Sequence, residues 1–436
     1  MLCNTYKPGY CIILLDLLLI QVIGIDNYYH GFNINRFGFQ NRMISFFDRE
    51  HIAKLSSSKL EKDTYLRYLD YNKYNTLSLE QIMATFQNKR KDVNTCTQPQ
   101  KKVVFLKVHK AGSTTVQNIF LRYGDTHGLN IALPKTYDME CFNYLGFHSI
   151  LNQSRIMKLP KNKTTDIICN HAIYNKGVFT EFMGFDTTYI GILRDPVNQW
   201  SSATFFYGFI EYLRDLLGEH LEDRQLLSAA LENPSIFHDC PHTHNSMFED
   251  LGLSLKDTDN QSAVENYLRL LDDDISLIMI MEYFDESLIL MKRLLCWDIK
   301  DIMYVPLNIN SEKMKRKIIL TDKDQHNLFK YNYADFRLYV HFKKKLFNRI
   351  KQSGNNFFAE VKYFQNARKS VTEYCKRCQS SNFSSCTDIK IFSSEWSKQL
   401  TITGKDCQFM MTQEESLLLE LMKKARQKYG INQQEK

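Results

Sequence analysis

The 436-residue chain has no internal repeat, no long low-complexity run and no G-x-x-x-x-G-K-[ST] string. The first two absences exclude repeat arrays and compositionally biased fibrous or disordered architectures. The third argues against an ATPase or kinase built on the triphosphate-cradling loop. The 11 cysteines form neither a dense disulfide framework nor a regular zinc spacing. Positive charge is in modest excess, formally +7. That is too little to imply nucleic acid, but it suits an enzyme whose cofactor carries several negative charges. Apolar residues are plentiful, at 44% hydrophobic and 13% aromatic. They suffice for a large core, in one large domain or one domain with appendages.

The stretch Lys101–Tyr123, KKVVFLKVHKAGSTTVQNIFLRY, organises the chain. It reads as a strand at Val103–Leu106, a polar loop at His109–Thr115, and a helix with Val116, Ile119, Phe120 and Tyr123 at helical spacing. Such a loop aims several backbone N–H groups at one spot, at the positive end of a helix dipole, where phosphate and sulfate bind. Gly112 lets backbone approach an anion, Ser113, Thr114 and Thr115 offer hydroxyls, and Lys110 supplies full charge. The plain alternative is an ordinary strand–helix turn.

Short apolar runs alternate with helical patterns through the rest of the chain. They predict a three-layer α/β domain with a mainly parallel central sheet. Strands are expected near Val103–Leu106, Ile167–Cys169, Tyr189–Leu193 and Leu277–Met281, with a shorter one at Leu129–Pro134. Ligands of such sheets sit beyond the carboxyl ends of strands. His171 falls there, as either a site residue or a histidine satisfied in a local turn. Arg194 ends another strand, and Ser202 lies eight residues on in a helix expected over Val197–Phe206, with proline near its first turn. Arginine and serine so placed can grip one phosphate; the alternative is an Arg194–Asp195 surface pair. Asp285 is expected to cap the helix that follows it. Gln325–Ile350 reads as one helix, with Lys343, Lys344 and Lys345 as a solvated basic end. His238–His244 carries alternating ligand types that suit either zinc or a solvated loop.

Gly9–Ile25 is the most apolar stretch, 17 residues with Asp16 in the middle. It is short for a spanning helix. An N-terminal membrane anchor is expected, with a buried helix or a cleaved signal peptide as alternatives; no small-x-small cleavage site follows. Residues 26–100 read as a stem, with a helix within Leu55–Leu69 and a linker at Asn88–Gln100, and 101–436 as the catalytic domain.

The order Lys-x-Gly-[Ser/Thr]-Thr resembles the 5′-phosphosulfate loop of sulfotransferases, which use 3′-phosphoadenylyl sulfate (PAPS). FLKVHKAGSTTVQNI, IICNH, the Arg194–Ser202 spacing, Asn245–Gly252, EYFDESL and LLCW together resemble the galactose-3-O-sulfotransferase family, in the family's order. The blocks run from about Val103 to Asn308, with weaker similarity to about Leu421; the stem is not covered. The His-rich loop before Asn245 departs from the family's residues, which leaves acceptor choice open.

The resemblance implies a sulfotransferase fold with a P-loop-like phosphosulfate loop, and transfer of the sulfuryl group of PAPS to the 3-hydroxyl of a galactose. The acceptor would be galactosylceramide or a related glycolipid, or galactose on glycoprotein glycans. No metal and no nucleic acid are expected. Lys107, Lys110, Ala111, Gly112, Ser113, Thr114 and Thr115 would hold the 5′-phosphosulfate, and Arg194 and Ser202 the 3′-phosphate. A base must take the hydroxyl proton, and charge on the departing phosphate oxygen must be stabilised. His171 is the candidate base, with His109 as rival or loop brace, and Lys110 serves the leaving group. Two other functions compete: a nucleotide phosphotransferase with the same loop geometry, and a non-catalytic glycan-binding protein on this scaffold. Family members are type II Golgi proteins, which implies a single-pass Golgi membrane protein with a lumenal catalytic domain. Cys375 and Cys407 resemble family cysteines and imply a disulfide, while Cys378 and Cys386 are extra and available to bridge each other. Four N-x-[ST] sequons, at Asn152, Asn162, Asn260 and Asn382, agree with a secretory route.

Overall fold

The computed structural model describes residues 67–72, 98–137, 142–237, 242–307 and 319–431. Residues 67–72 are helical and belong to a compact unit spanning Cys11–Leu77. The remaining described residues belong to a second unit that includes Ser78–Lys436. The Gly9–Ile25 segment, nearly all of the stem, and His238–Pro241 lie outside the described residues. Among the described residues, no helix is long and apolar enough to cross a membrane.

Four parallel strands form the central sheet, in the order β2-β1-β3-β4. They are β1 (Val103–Leu106), β2 (Ile167–Ile168), β3 (Thr188–Leu193) and β4 (Leu277–Ile280). β1 lies between β2 and β3, with Val103 opposite Ile167 and Thr188, while Leu193 of β3 faces Ile280 of β4. All four expected strands are present in one sheet. The continuous apolar runs follow from burial on both faces, as parallel sheets require. Gly191 sits where β3 and β4 pack tightly: a Cβ there would lie 2.6 Å from Ile278 Cδ1.

After β1 the chain enters α1 (Ser113–Thr126), which buries Val116, Ile119, Phe120 and Tyr123, the face expected from spacing. Phe105 of β1 stacks on Phe120 at 5.4 Å, and Trp297 stacks on Tyr123 at 3.6 Å. Between β2 and β3 lies α2 (Lys176–Met183). The segment after β3 is helical: α3 (Pro196–Phe206), α4 (Phe209–Leu217), α5 (Asp223–Glu232), the short α6 (Ser246–Asp250) and α7 (Gln261–Asp274). Pro196 opens α3 at its first position, where its missing N–H costs nothing. α8 (Phe284–Leu295), α9 (Asp322–Tyr331) and α10 (Tyr333–Gln352) follow, and α8 and α10 pack on β4. The C-terminal part holds α11 (Phe357–Ser381), a β5–β6 hairpin (Ile389–Ile391 with Leu400–Ile402), α12 (Gly404–Met411) and α13 (Glu414–Tyr429).

Four expectations need correction. Leu129–Pro134 makes only isolated bridges, Ile131 to Ile167 and Pro134 to Ile156. Proline has no N–H to extend a ladder there. Asp285 does not cap α8; it lies in the first turn and accepts from Tyr304 Oη at 2.9 Å and Arg368 Nη2 at 3.2 Å. Gln325–Ile350 is two helices, α9 and α10. Asn332 parts them, accepting from Asn245 N at 2.5 Å and donating to Thr243 O at 3.2 Å. Lys343 is not solvated: it is 2% exposed, with its ammonium 5.3–5.9 Å from the Tyr283, Tyr339 and Phe347 rings. The aromatic faces attract the cation and offset part of the solvation it loses on burial.

Two disulfides join Cys375 to Cys407 and Cys378 to Cys386, as expected. The first closes a separation of 32 residues and ties α12 to α11. A loop of that length restricts the unfolded chain substantially. The double substitution C375A/C407A should lower unfolding free energy by about 3–4 kcal/mol, read as a lower urea midpoint. An unchanged midpoint would show that this bridge does not constrain the unfolded chain.

Candidate active site

Because every strand of the sheet is parallel, the loops that leave β1, β2, β3 and β4 emerge at one edge. These loops carry His109 and Lys110, His171, Arg194, and Glu282 respectively. In this way the topology gathers residues spread over more than 170 positions.

The loop after β1 is tightly turned. Lys110 (φ +58°) and Gly112 (φ +78°) both lie in the left-handed region. Gly112 is required twice over, since a Cβ would also meet Met281 Sδ at 2.4 Å. Lys110 holds a conformation that L-residues avoid, and two bonds fix it. Arg194 Nη1 donates to Lys110 O at 3.1 Å, and Gln199 Nε2 donates to His109 O at 3.3 Å. Ser113 turns inward and donates to Val108 O at 2.7 Å, so its hydroxyl hydrogen braces the loop. Ala111 is fully buried, Thr115 half-buried and Thr114 exposed at the start of α1. Ser202 lies nearly two turns into α3 and is half-buried.

Three cations share this edge: Lys107, Lys110 and Arg194. Burial first, then the charges of Arg194 and Lys107, pull the Lys110 ammonium down to about 8. The ammonium sits 3.4 Å from the centre of the Phe206 ring, itself 62% exposed. Lys107, 1% exposed at its side chain, pairs with Glu414 at the start of α13. Glu414 also accepts from Asn143 Nδ2 at 2.9 Å and Thr114 Oγ1 at 3.3 Å.

A stack of rings stands beside the loop. His109 lies 4.0 Å from His171 and 3.9 Å from His242, and His242 lies 4.8 Å from Tyr207. Both imidazole nitrogens of His109 are engaged. Nδ1 lies 2.9 Å from both Asp250 oxygens, and Nε2 lies 2.9 Å from Tyr144 Oη. The backbone N–H of His109 also donates to Asp250 Oδ2 at 2.7 Å. Burial drives both members of this pair toward uncharged forms: it pushes the Asp250 carboxyl up to about 8 and the His109 imidazole well below 6.5. Asp250 is positioned from below, because Asp335 of α10 accepts from Phe248 N at 2.8 Å and Met247 N at 3.2 Å, which fixes α6.

His171 differs. Its Nδ1 lies 3.0 Å from Lys107 O. A carbonyl only accepts, so Nδ1 carries the hydrogen and Nε2 carries the lone pair. No protein partner engages Nε2 among the described residues. Burial, then the neighbouring His109 and Lys107, pull this imidazole well below 6.5, so it is neutral at neutral pH.

The structure therefore brings together Lys107, His109, Lys110, Thr114, His171 and Arg194. It adds Asn143, Tyr144, His242, Asp250 and Glu414, which sequence reasoning did not place at the site. Asp250 and His242 lie in or beside a block already singled out. Glu414 had no signal beyond the acidic start of a helix. His242 joins the ring stack, and His244 stacks on Tyr331 at 4.7 Å. Among the described residues, no group of three or more His, Cys, Asp or Glu could hold a metal.

Fold and edge define the class: an α/β domain whose parallel sheet presents a tightly turned, cation-rich loop and a neutral histidine at its carboxyl edge. The chain belongs to the galactose-3-O-sulfotransferase family, whose model matches residues 58–415. Galactosylceramide sulfotransferase of Bos taurus is 28% identical over 285 residues, covering 64% of each chain. Galactose-3-O-sulfotransferase 2 of Sus scrofa is 29% identical over 310 residues, covering 67% of this chain and 73% of the relative. Galactose-3-O-sulfotransferase 3 of Mus musculus is 29% identical over 277 residues, covering 63% of each. The match thus spans a little under two thirds of the length of the bovine and murine relatives.

Inorganic sulfate keeps its charge near neutrality, so its binding reports the protein's own titration. Lys110 is cationic below about 8 and loses its charge above it. Sulfate affinity measured by calorimetry should therefore fall as pH rises through about 8, and K110R should remove that fall, because arginine stays charged. An identical fall in K110R would assign it to another group.

Proposed function

We propose that this protein is a PAPS-dependent galactose 3-O-sulfotransferase that acts on galactosylceramide or a related glycolipid, or on galactose of glycoprotein glycans. Family membership supports the class. The observation that carries the mechanism is the free Nε2 lone pair of His171 beside a cation-rich loop. His171 takes the proton of the acceptor hydroxyl, and its Nδ1–H bond to Lys107 O keeps the required tautomer. His109, engaged at both nitrogens by Asp250 and Tyr144, braces the loop and the His171 ring.

The residues fit a polyanionic donor. Burial first, then the charges of Arg194 and Lys107, oppose the charge on Lys110 at this edge, and a bound anion offsets both. PAPS, when bound, supplies the sulfuryl group and a phosphate leaving group. Lys110, Lys107, Thr114, Thr115 and the loop backbone from Ala111 to Ser113 would hold its 5′-phosphosulfate, in the role of a P-loop-like loop within a three-layer sulfotransferase fold. Arg194 and Ser202 would hold its 3′-phosphate.

We also place the chain in the Golgi membrane as a single-pass type II protein. An anchor would lie at residues 9–25, a stem over 26–100 and a lumenal catalytic domain over 101–436. Two disulfides and four exposed sequon asparagines support an oxidising, glycosylating compartment.

Two experiments test this function. R194A should weaken PAPS binding about 10- to 100-fold, the value of a charge-assisted contact, and should weaken binding of adenosine 5′-phosphosulfate, which lacks the 3′-phosphate, far less. Equal losses would give Arg194 another role. With labelled PAPS and a galactoside acceptor, H171A should lower kcat by about 10²–10⁴-fold while donor affinity stays near normal. Near-normal turnover in H171A with none in H109A would reverse the two roles.

A further inference from the structure

Glu414 lies 300 residues beyond Thr114 in sequence, yet its carboxylate engages two of the groups assigned above to the 5′-phosphosulfate and one amide nearby. It pairs with Lys107 and accepts from Thr114 Oγ1 at 3.3 Å and Asn143 Nδ2 at 2.9 Å. The pairing is enclosed, with the Lys107 side chain 1% exposed and that of Glu414 14% exposed. A cavity of about 190 Å³ adjoins it, lined by Thr114, Thr115, Asn118, Tyr304, Leu307 and Glu414 among others. Glu414 thus lines this cavity and also pairs with Lys107.

We propose that Glu414 is an internal counter-ion that occupies the anion site and must yield when the donor's 5′ anionic group binds. This rests on the donor assignment made above. The argument is one of shared partners. Thr114 has a single hydroxyl hydrogen, and the structure spends it on Glu414. An incoming phosphate or sulfate at the start of α1 needs the same hydroxyl and the same Lys107 ammonium. Two anions side by side in enclosed surroundings repel strongly. The charge of Glu414 is held ionised there: burial opposes it, but Lys107 and the three hydrogen bonds outweigh burial.

The backbone of the segment is not free to retreat. α13 buries Leu417, Leu418, Leu421 and Met422, and Lys424 pairs with Asp125 of α1 at 2.9 Å. The preceding α12 is held by the Cys375–Cys407 bridge. The yielding motion is therefore a rotation of the Glu414 side chain toward the cavity. Such a carboxylate keeps the cations neutralised between turnovers, so it sets donor affinity and favours product release.

The test is calorimetric titration of the full chain with two probes, inorganic sulfate and 3′-phosphoadenosine 5′-phosphate. E414Q retains the shape and a hydrogen-bond acceptor but removes the charge. It should bind both probes about tenfold tighter, within the usual range of coupling between competing sites. E414D keeps the charge but withdraws it by one methylene, and should show a smaller gain in the same direction. Equal or weaker sulfate binding by a cooperatively folded E414Q would overturn the proposal and make Glu414 a structural partner of Lys107. If E414Q destabilises the fold, E414D decides alone: unchanged or weaker sulfate binding refutes it. Tighter sulfate binding, with the nucleotide bound by neither wild type nor variant, would uphold the counter-ion and refute the donor assignment instead.

Discussion

Three cationic side chains held close together at one edge of a sheet are the constraint on which the rest of this structure turns. Lys107, Lys110 and Arg194 repel one another in surroundings with little water, and each is restrained separately. Glu414 holds Lys107, the Phe206 ring faces the ammonium of Lys110, and Arg194 spends a donor on the carbonyl of Lys110. Preorganised charge of this kind needs little reorganisation during a chemical step, which is what makes it effective in group transfer. Its cost is stored in the loop, where Lys110 is kept in a left-handed conformation by its neighbours' hydrogen bonds.

The histidines answer to the same constraint. A cation-rich edge disfavours any further positive charge, so His109, His171 and His242 are all pulled toward the neutral form by burial and by nearby cations or one another. Neutral imidazoles can stack closely, and they do so as a column. Within that column the hydrogen-bond partners, not the residue type, distinguish one imidazole from the next. Asp250 and Tyr144 occupy both nitrogens of His109, while a backbone carbonyl occupies one nitrogen of His171 and leaves the other available.

Support for the edge comes from far along the chain. Asp335 of α10 fixes α6 and thereby Asp250, and Glu282 accepts from Asp195 N at 3.0 Å and from Tyr339 Oη of α10 at 3.1 Å. α13 delivers Glu414. The C-terminal helices are thus part of the site's frame, and the Cys375–Cys407 bridge secures one of them.

The sequence by itself determined the parallel sheet and much of its edge. Apolar runs buried on both faces are continuous and short, so Val103–Leu106, Tyr189–Leu193 and Leu277–Met281 were legible as strands. Residues that follow such strands fall at one edge by topology alone, which placed His171 and Arg194 beside Lys110. What depended on long-range contact was not legible. The break at Asn332 depends on Asn245, the burial of Lys343 on the ring of Tyr283, and the position of Asp285 on Tyr304 and Arg368. The different hydrogen bonding of His109 and His171, and the presence of Glu414 at the loop, belong to that same class. Each is set by which atoms meet across 19 to more than 300 residues of chain, and no local pattern carries that information.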